Sequence, residues 1–252
     1  CDIMLPKVEI VNLNKSFYKD GVEIKVLDNI NLKLYDGEFV SIIGPSGCGK
    51  STIFSIICNL QNQDSGDIIV DGKKDNINKR FAYMPQKDLL FPWRKLKDNM
   101  ILPLEIQGED KNNSYKKVDS LFDQFGLSGF ENAYPNELSG GMKQRAALLR
   151  TFLIDSDIML LDEPFGAIDA INRDKLQVWL LDVWSKFKRS VFFITHSIDE
   201  AIYLSDRIYV LSDRPASVKL EIKIDLERPR DKKIITSQKF MDYKACLLSA
   251  LE

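Results

Sequence analysis

One histidine, His196, and four cysteines, Cys1, Cys48, Cys58 and Cys246, are all that 252 residues hold of the usual transition-metal ligands. The cysteines form no C-x-x-C pair and no metal-binding spacing, so a zinc ribbon and a thiol redox motif are both excluded. A reducing compartment is the simplest setting for them. No uninterrupted apolar run reaches the roughly 18 residues needed to span a bilayer. No secretory leader pattern opens the sequence. Internal repeats, low-complexity tracts and long heptad runs are missing as well. Charge of one sign is not in excess: 35 Lys and Arg face 37 Asp and Glu, a net charge of −2. Nothing in that balance demands a nucleic-acid partner, although a local basic patch can hide in it. With 44% hydrophobic and 29% charged residues, the composition is that of an ordinary globular protein. The length suits one large α/β domain or one domain with an inserted lobe.

What is present centres on Gly44-Pro45-Ser46-Gly47-Cys48-Gly49-Lys50-Ser51-Thr52. An apolar run, Phe39 to Ile43, precedes it and reads as a buried strand. Ile53 to Cys58 follows and reads as the start of a buried helix. Strand, glycine-rich turn and helix is the context of a phosphate-binding loop. The glycines let backbone N–H groups turn inward around phosphate oxygens, and the helix N-terminus adds partial positive charge. Lys50 is then placed to reach the β- and γ-phosphates, and the Ser51 hydroxyl to ligate Mg²⁺. A chance match is the alternative, and the flanking strand and helix argue against it.

Residues 7–40 alternate as β-structure, in runs Val8–Leu13, Val22–Leu27 and Ile30–Leu34, with turns at Asp20-Gly21 and Asp36-Gly37. Phe17 and Tyr18 sit at the first turn. An aromatic there can stack on a purine, or pack in the core. Gly66–Gly72 and Phe81–Met84 read as further strands. Between 88 and 150 the pattern is helical, with periodic segments at Leu96–Ile106 and Ser114–Phe125. Alternation then resumes: strand Asp157–Pro164, ending in two acids, helix Asp169–Phe187, strand Ser190–Thr195, helix Ile198–Leu204, strand Arg207–Leu211, a β segment Val218–Leu226 and a helix at about 236–251. This order predicts a mostly parallel sheet covered on both faces, with a helical insertion.

Asp162 ends an apolar strand, where an acid in a phosphate-loop fold holds Mg²⁺. Glu163 beside it is suited to polarise an attacking water. The plain alternative is two acids solvating a strand end. Ser139 is a good N-cap for a helix over Met142–Leu153, and Gly140 and Gly141 leave its first N–H groups open to an anion. His196 ends a strand at the ligand-binding edge of such a sheet, where its Nε2 can contact a γ-phosphate.

Taken in order, Gly44–Thr52, Gln86, Leu138–Arg145, Ile158–Glu163, Gly166-Ala167-Ile168-Asp169 and His196 resemble the ATP-binding subunit of an ABC transporter over nearly the whole chain. The resemblance implies an α/β fold: a P-loop NTPase core with a mostly parallel sheet, an N-terminal antiparallel β lobe and an inserted helical subdomain. In domain terms it implies a β lobe and RecA-like core at 7–87 and 151–235, a helical signature subdomain at 88–150 and a C-terminal helix at 236–252. It makes Phe17 the adenine-stacking aromatic, with Tyr18 as the other candidate. Gln86 becomes the Q-loop glutamine, a catalytic and Mg²⁺-binding residue beside Ser51 and Asp162. Ser139, Gly140 and Gly141 become the signature donors, Asp169 the D-loop acid, and Glu163 and His196 the catalytic pair. Ile168 stands where leucine is usual.

Phe91-Pro92-Trp93-Arg94 with Asp98-Asn99, and the tail from Leu211 through Arg214-Pro215 to Asp231, are similar to the nitrate, sulfonate and taurine importers. The expected cofactors are ATP and Mg²⁺. The expected partners are a second copy of the chain, transmembrane permease subunits and, through them, a solute-binding protein, with no nucleic acid. The expected place is the cytoplasmic face of the cell membrane, and Cys1 is read as a processing boundary. The alternative is a soluble ABC ATPase acting on nucleic acid or ribosomes; the missing heptads and cysteine cluster weigh against it.

Overall fold

A computed structural model describes residues 5–74, 80–166 and 168–252; Cys1 and Ala167 lie outside them. The chain forms two units, Cys1–Phe81 with Lys188–Glu252, and Ala82–Phe187.

In the first unit, β1 (Val8–Lys19) and β2 (Val22–Leu34) make an antiparallel hairpin, with Lys19 opposite Val22. Asp20 and Gly21 have φ of 51° and 77°. Two central residues with positive φ match the right-handed twist of the strands, which is why Asp-Gly works there. The sequence pattern predicts two runs where β2 is continuous. The break at Asp28-Asn29 is a register shift inside one strand, with Asn29 at φ 51°. Asn14 Oδ1 accepts from Asn29 N at 3.0 Å and Asn31 Oδ1 from Asn12 N at 2.9 Å, so side-chain amides replace the lost ladder bonds. β4 (Ser65–Val70) adds to the other edge of β1, giving the order β2-β1-β4. The antiparallel lobe therefore also draws on chain that follows the P-loop.

The second sheet of this unit has β3 (Phe39–Ile43) parallel to both β7 (Ser190–Ile194) and β8 (Arg207–Leu211), and β9 (Val218–Lys223) antiparallel to β8. β3, β7 and β8 are buried at every position, as strands covered on both faces require. Phe39 and Phe193 pack with ring centroids 5.6 Å apart. Helices α1 (Lys50–Ile57), α7 (Ile198–Leu204) and α8 (Gln238–Leu251) complete the unit.

The second unit carries β6 (Ile158–Asp162) and, from Ala82 onward, its neighbouring strand β5 (Phe81–Met84). Its helices are α2 (Leu96–Met100), α3 (Leu102–Ile106), α4 (Lys111–Phe122), α5 (Gly140–Phe152) and α6 (Ala170–Phe187). The periodicity over Leu96–Ile106 predicts one helix and the structure has two. Pro103 lies in the first turn of α3, and its missing N–H breaks the ladder there. Phe125 forms the centre of the aromatic core, 5.7 Å from Phe152 and edge-on to Trp179 at 5.4 Å.

Asn99 organises the loop ahead of α2 from a fully buried position. Its Oδ1 accepts from Phe91 N at 2.7 Å, and its Nδ2 donates to the carbonyls of Phe91, Arg94 and Lys95 at 3.0–3.2 Å. Asn99→Ala leaves a buried N–H and several carbonyls without their partner, at about 1–3 kcal/mol for such a loss. The urea midpoint of the variant is expected to fall accordingly, and an unchanged midpoint would contradict this account of the loop.

Candidate functional site

The P-loop hangs between β3 and α1 in the first unit. Gly49 has φ 126°, and a Cβ on it would lie 2.8 Å from Leu27 Cδ2 and 2.9 Å from Val26 Cγ1. Only glycine fits both the dihedral and the approach. No side chain caps the N-terminus of α1, so its first-turn N–H groups are left to the loop. Lys50 is 5% exposed and bends back, its Nζ donating to the carbonyls of Gly44 and Pro45 at 2.8 Å each. Cys48 is buried under it, while Ser46, Gly47 and Ser51 are exposed. An inward ammonium, a helix N-terminus and a glycine turn suit a polyphosphate.

Arg214 is a contributor that motif reasoning missed. Its Nε donates to Gly47 O at 2.5 Å, pinning the loop from the tail segment. In the sequence it was visible only as a class cue next to Pro215.

His196 follows β7 and is exposed. Thr195 Oγ1 donates to Glu200 Oε2 at 2.5 Å and accepts from Ser197 N at 3.0 Å, and Ser197 Oγ caps α7 by accepting from Glu200 N at 3.3 Å. The residues on either side of His196 are thus built into the start of α7. Phe17 is 36% exposed and Tyr18 75%, so neither packs in the core. Lys15 Nζ sits 5.3 Å from the Phe17 ring centroid, a cation–π distance.

In the second unit, Asp162 ends β6 and is buried, with Tyr83 OH donating to its Oδ2 at 3.3 Å. Glu163 has φ 46°, a strained value of the kind that gathers at functional sites. Its Oε2 accepts from Gln86 Nε2 at 3.0 Å, and its carbonyl from Gly166 N at 3.0 Å. Gln86 and Glu163, 77 residues apart in sequence, are thus in direct contact. The Asp162 carboxylate and the Gln86 amide are oxygen donors of the kind that suits a hard cation such as Mg²⁺.

The signature stretch lies in the same unit. Ser139 Oγ accepts from Met142 N at 3.3 Å and caps α5, which leaves its O–H to donate elsewhere. Ser139, Gly140 and Gly141 line a cavity of about 530 Å³ with Asp169, Asn172 and Lys175. Asp169 Oδ1 accepts from Asn172 N at 3.1 Å and Oδ2 from Asn172 Nδ2 at 2.7 Å. These bonds hold the Asp169 carboxyl below the usual carboxylate range. Arg145 also lines the cavity, its guanidinium 5.2 Å from the Trp179 ring centroid. Asn172 and Lys175 belong to no motif, and only the fold of α6 brings them here.

Residues 27–166 match the ABC transporter family. An uncharacterized ABC transporter ATP-binding protein of Methanocaldococcus jannaschii is 45% identical over 254 residues, covering 100% of this chain and 93% of its own. The aliphatic sulfonates import ATP-binding protein SsuB of Bacillus anthracis is 42% identical over 246 residues, covering 97% and 96%. Among solved structures, a dimeric ATP-binding cassette in a post-hydrolysis state with ADP and Pi superposes with a TM-score of 0.76 at 29% identity, covering 87% of this chain and 100% of that one. With the loop, signature and acidic strand end all in place, the chain belongs to the ABC transporter family, as an ATP-binding and ATP-hydrolysing cassette.

Proposed function

We propose that this cassette is the motor of an importer for a small solute of the nitrate, sulfonate and taurine class, working on a separate permease at the cytoplasmic face of the membrane. Two copies would face head to tail in a C2 pair. ATP on the P-loop of one copy would be capped by Ser139, Gly140 and Gly141 of the other. The observation that carries this is the exposed N-terminus of α5, with Ser139 and Gly140 presented to solvent beside Asp169.

Within each copy, Lys50 neutralises the β- and γ-phosphates. Ser51, Asp162 and Gln86 would hold Mg²⁺, which on binding would supply charge neutralisation across those phosphates. Glu163 takes the proton of the attacking water, and Gln86, bonded to it, orients its carboxylate. His196 contacts the γ-phosphate, and Phe17 stacks on the adenine. Binding closes the pair and hydrolysis reopens it.

The stretch from Gln86 to Asn99 is our candidate for the permease contact. Phe91 and Trp93 stack with centroids 5.0 Å apart and planes 9° from parallel, and Trp93 is 71% exposed. Phe91 is half-buried and its backbone is held by Asn99, so it anchors the loop while Trp93 is presented to solvent. Arg150 on α5 donates to Asp88 O at 2.5 Å and Leu89 O at 2.7 Å, which ties this stretch to the signature helix. Motion at the permease would thereby be felt at Ser139. Cysteines placed at Leu89 and Trp93 should cross-link to a cytoplasmic segment of the permease in reconstituted transporter. Consistent failure, with cross-links found from another face instead, would count against the assignment. A solute-binding protein delivering substrate to that permease completes the proposed system.

A further inference from the structure

Helix α7 begins two residues after His196 and is held at both ends by the C-terminal tail. At its C-terminal end, Arg230 Nη1 donates to the carbonyls of Ile202 at 3.1 Å and Tyr203 at 2.9 Å. Arg228 Nη2 donates to Leu204 O at 2.6 Å. The last carbonyls of a helix have no partner within it and carry its negative dipole end, so two guanidinium groups satisfy both needs. The Arg230 side chain is 0% exposed. Tyr203 OH donates back to Arg230 O at 3.1 Å. Burial lowers the Arg230 guanidinium to about 10, which leaves it cationic at neutral pH. Arg228 Nε donates to Asp206 Oδ1 at 2.8 Å, and Asp206 Oδ2 accepts from Phe39 N at 3.0 Å, at the foot of the strand that leads to the P-loop. In the first turn of α7, Asp199 pairs with Lys244 of α8 at 2.8 Å.

Burying a guanidinium is expensive, and buried ion pairs are weak sources of net stability. A glycine cap would end the helix more cheaply. What the arginine adds is a fixed position for α7.

We propose that Arg230 and Lys244 are positioning residues for ATP hydrolysis, fixing the two ends of α7 and through it the place of His196. This rests on the reading of His196 as the γ-phosphate contact. The C-terminal tail, far from the nucleotide motifs in sequence, becomes part of the hydrolytic apparatus.

The test is a double-mutant cycle on the full chain. Arg230→Lys and Lys244→Ala are each made alone and with His196→Ala, and single-turnover ATP hydrolysis, ATP affinity and melting temperature are measured. A small misplacement of a reacting group can cost up to about 100-fold. We expect the single-turnover rate to fall about tenfold in Arg230→Lys and a few-fold in Lys244→Ala, with ATP affinity within about twofold. In the His196→Ala background both rate penalties should vanish, while any loss of melting temperature should persist. Equal penalties with and without His196, or none at all, would overturn the proposal. A near-normal rate in His196→Ala itself would instead overturn the reading beneath it, and the proposal with it. Should Arg230→Lys fail to fold, Lys244→Ala decides alone, since its ion pair is partly exposed, with side-chain exposures of 34% and 46%.

Discussion

Lys50→Ala protein should neither bind ATP at ordinary concentrations nor hydrolyse it at a measurable rate. The ammonium is buried and aimed into the loop by the Gly44 and Pro45 carbonyls. On nucleotide binding those contacts are expected to give way to charged phosphate oxygens. Hydrogen bonds to charged groups are worth about 1.5–3 kcal/mol each, so losing two removes at least about 100-fold in affinity. The rate falls further, because the same charge stabilises the phosphoryl oxygens in the transition state. The loop itself should survive: Gly49 keeps its dihedral, and Arg214 still holds Gly47 O. Nucleotide binding by calorimetry, phosphate release and a thermal melt together check this. Near-normal hydrolysis with the melt unchanged would remove the P-loop assignment.

The P-loop was legible because its chemistry is local. Nine consecutive residues carry the glycines, the lysine and the hydroxyl, and the apolar runs on either side name the strand and helix. Asp162, Glu163 and Ser139 were legible for the same reason, each marking the end of a strongly patterned element. The hairpin turn at Asp20-Gly21 needed only two residues. What sequence left unread depends on contacts across long chain separations. The Arg214 bond to Gly47 spans 167 residues and the Gln86 bond to Glu163 spans 77. Arg230 on the carbonyls of α7 belongs to the same class, since arginine in a polar tail gives no sign that it will be buried. The split of α2 from α3 was missed for a different reason: the apolar period runs through Pro103 without interruption, and only the absent N–H breaks the helix. The continuity of β2 was missed because Asp28-Asn29 looks like a turn until the amides of Asn14 and Asn31 are seen to replace the ladder.

The composite site between two copies is the central claim, and Glu163→Gln examines it. The substitution keeps an oxygen to accept from Gln86 and leaves Lys50, Ser51 and Asp162 in place, so nucleotide should still bind. Losing a general base slows chemistry by roughly 10²–10⁴-fold. ATP then persists, its γ-phosphate shared between Lys50 of one copy and Ser139 of the other, and the closed pair accumulates. Losing the carboxylate charge also removes repulsion against the triphosphate. Adding Ser139→Arg puts a bulky cation where the partner's γ-phosphate would sit. Position 139 is exposed, so the fold should lose only an N-cap worth about 1 kcal/mol.

The measurement is size-exclusion chromatography with Mg·ATP of Glu163→Gln and of the double variant carrying Ser139→Arg as well. The account predicts an ATP-dependent dimer for the single variant and a monomer for the double. A dimer in both would mean that the signature stretch does not face the nucleotide, and the account of a site shared between two copies would be contradicted.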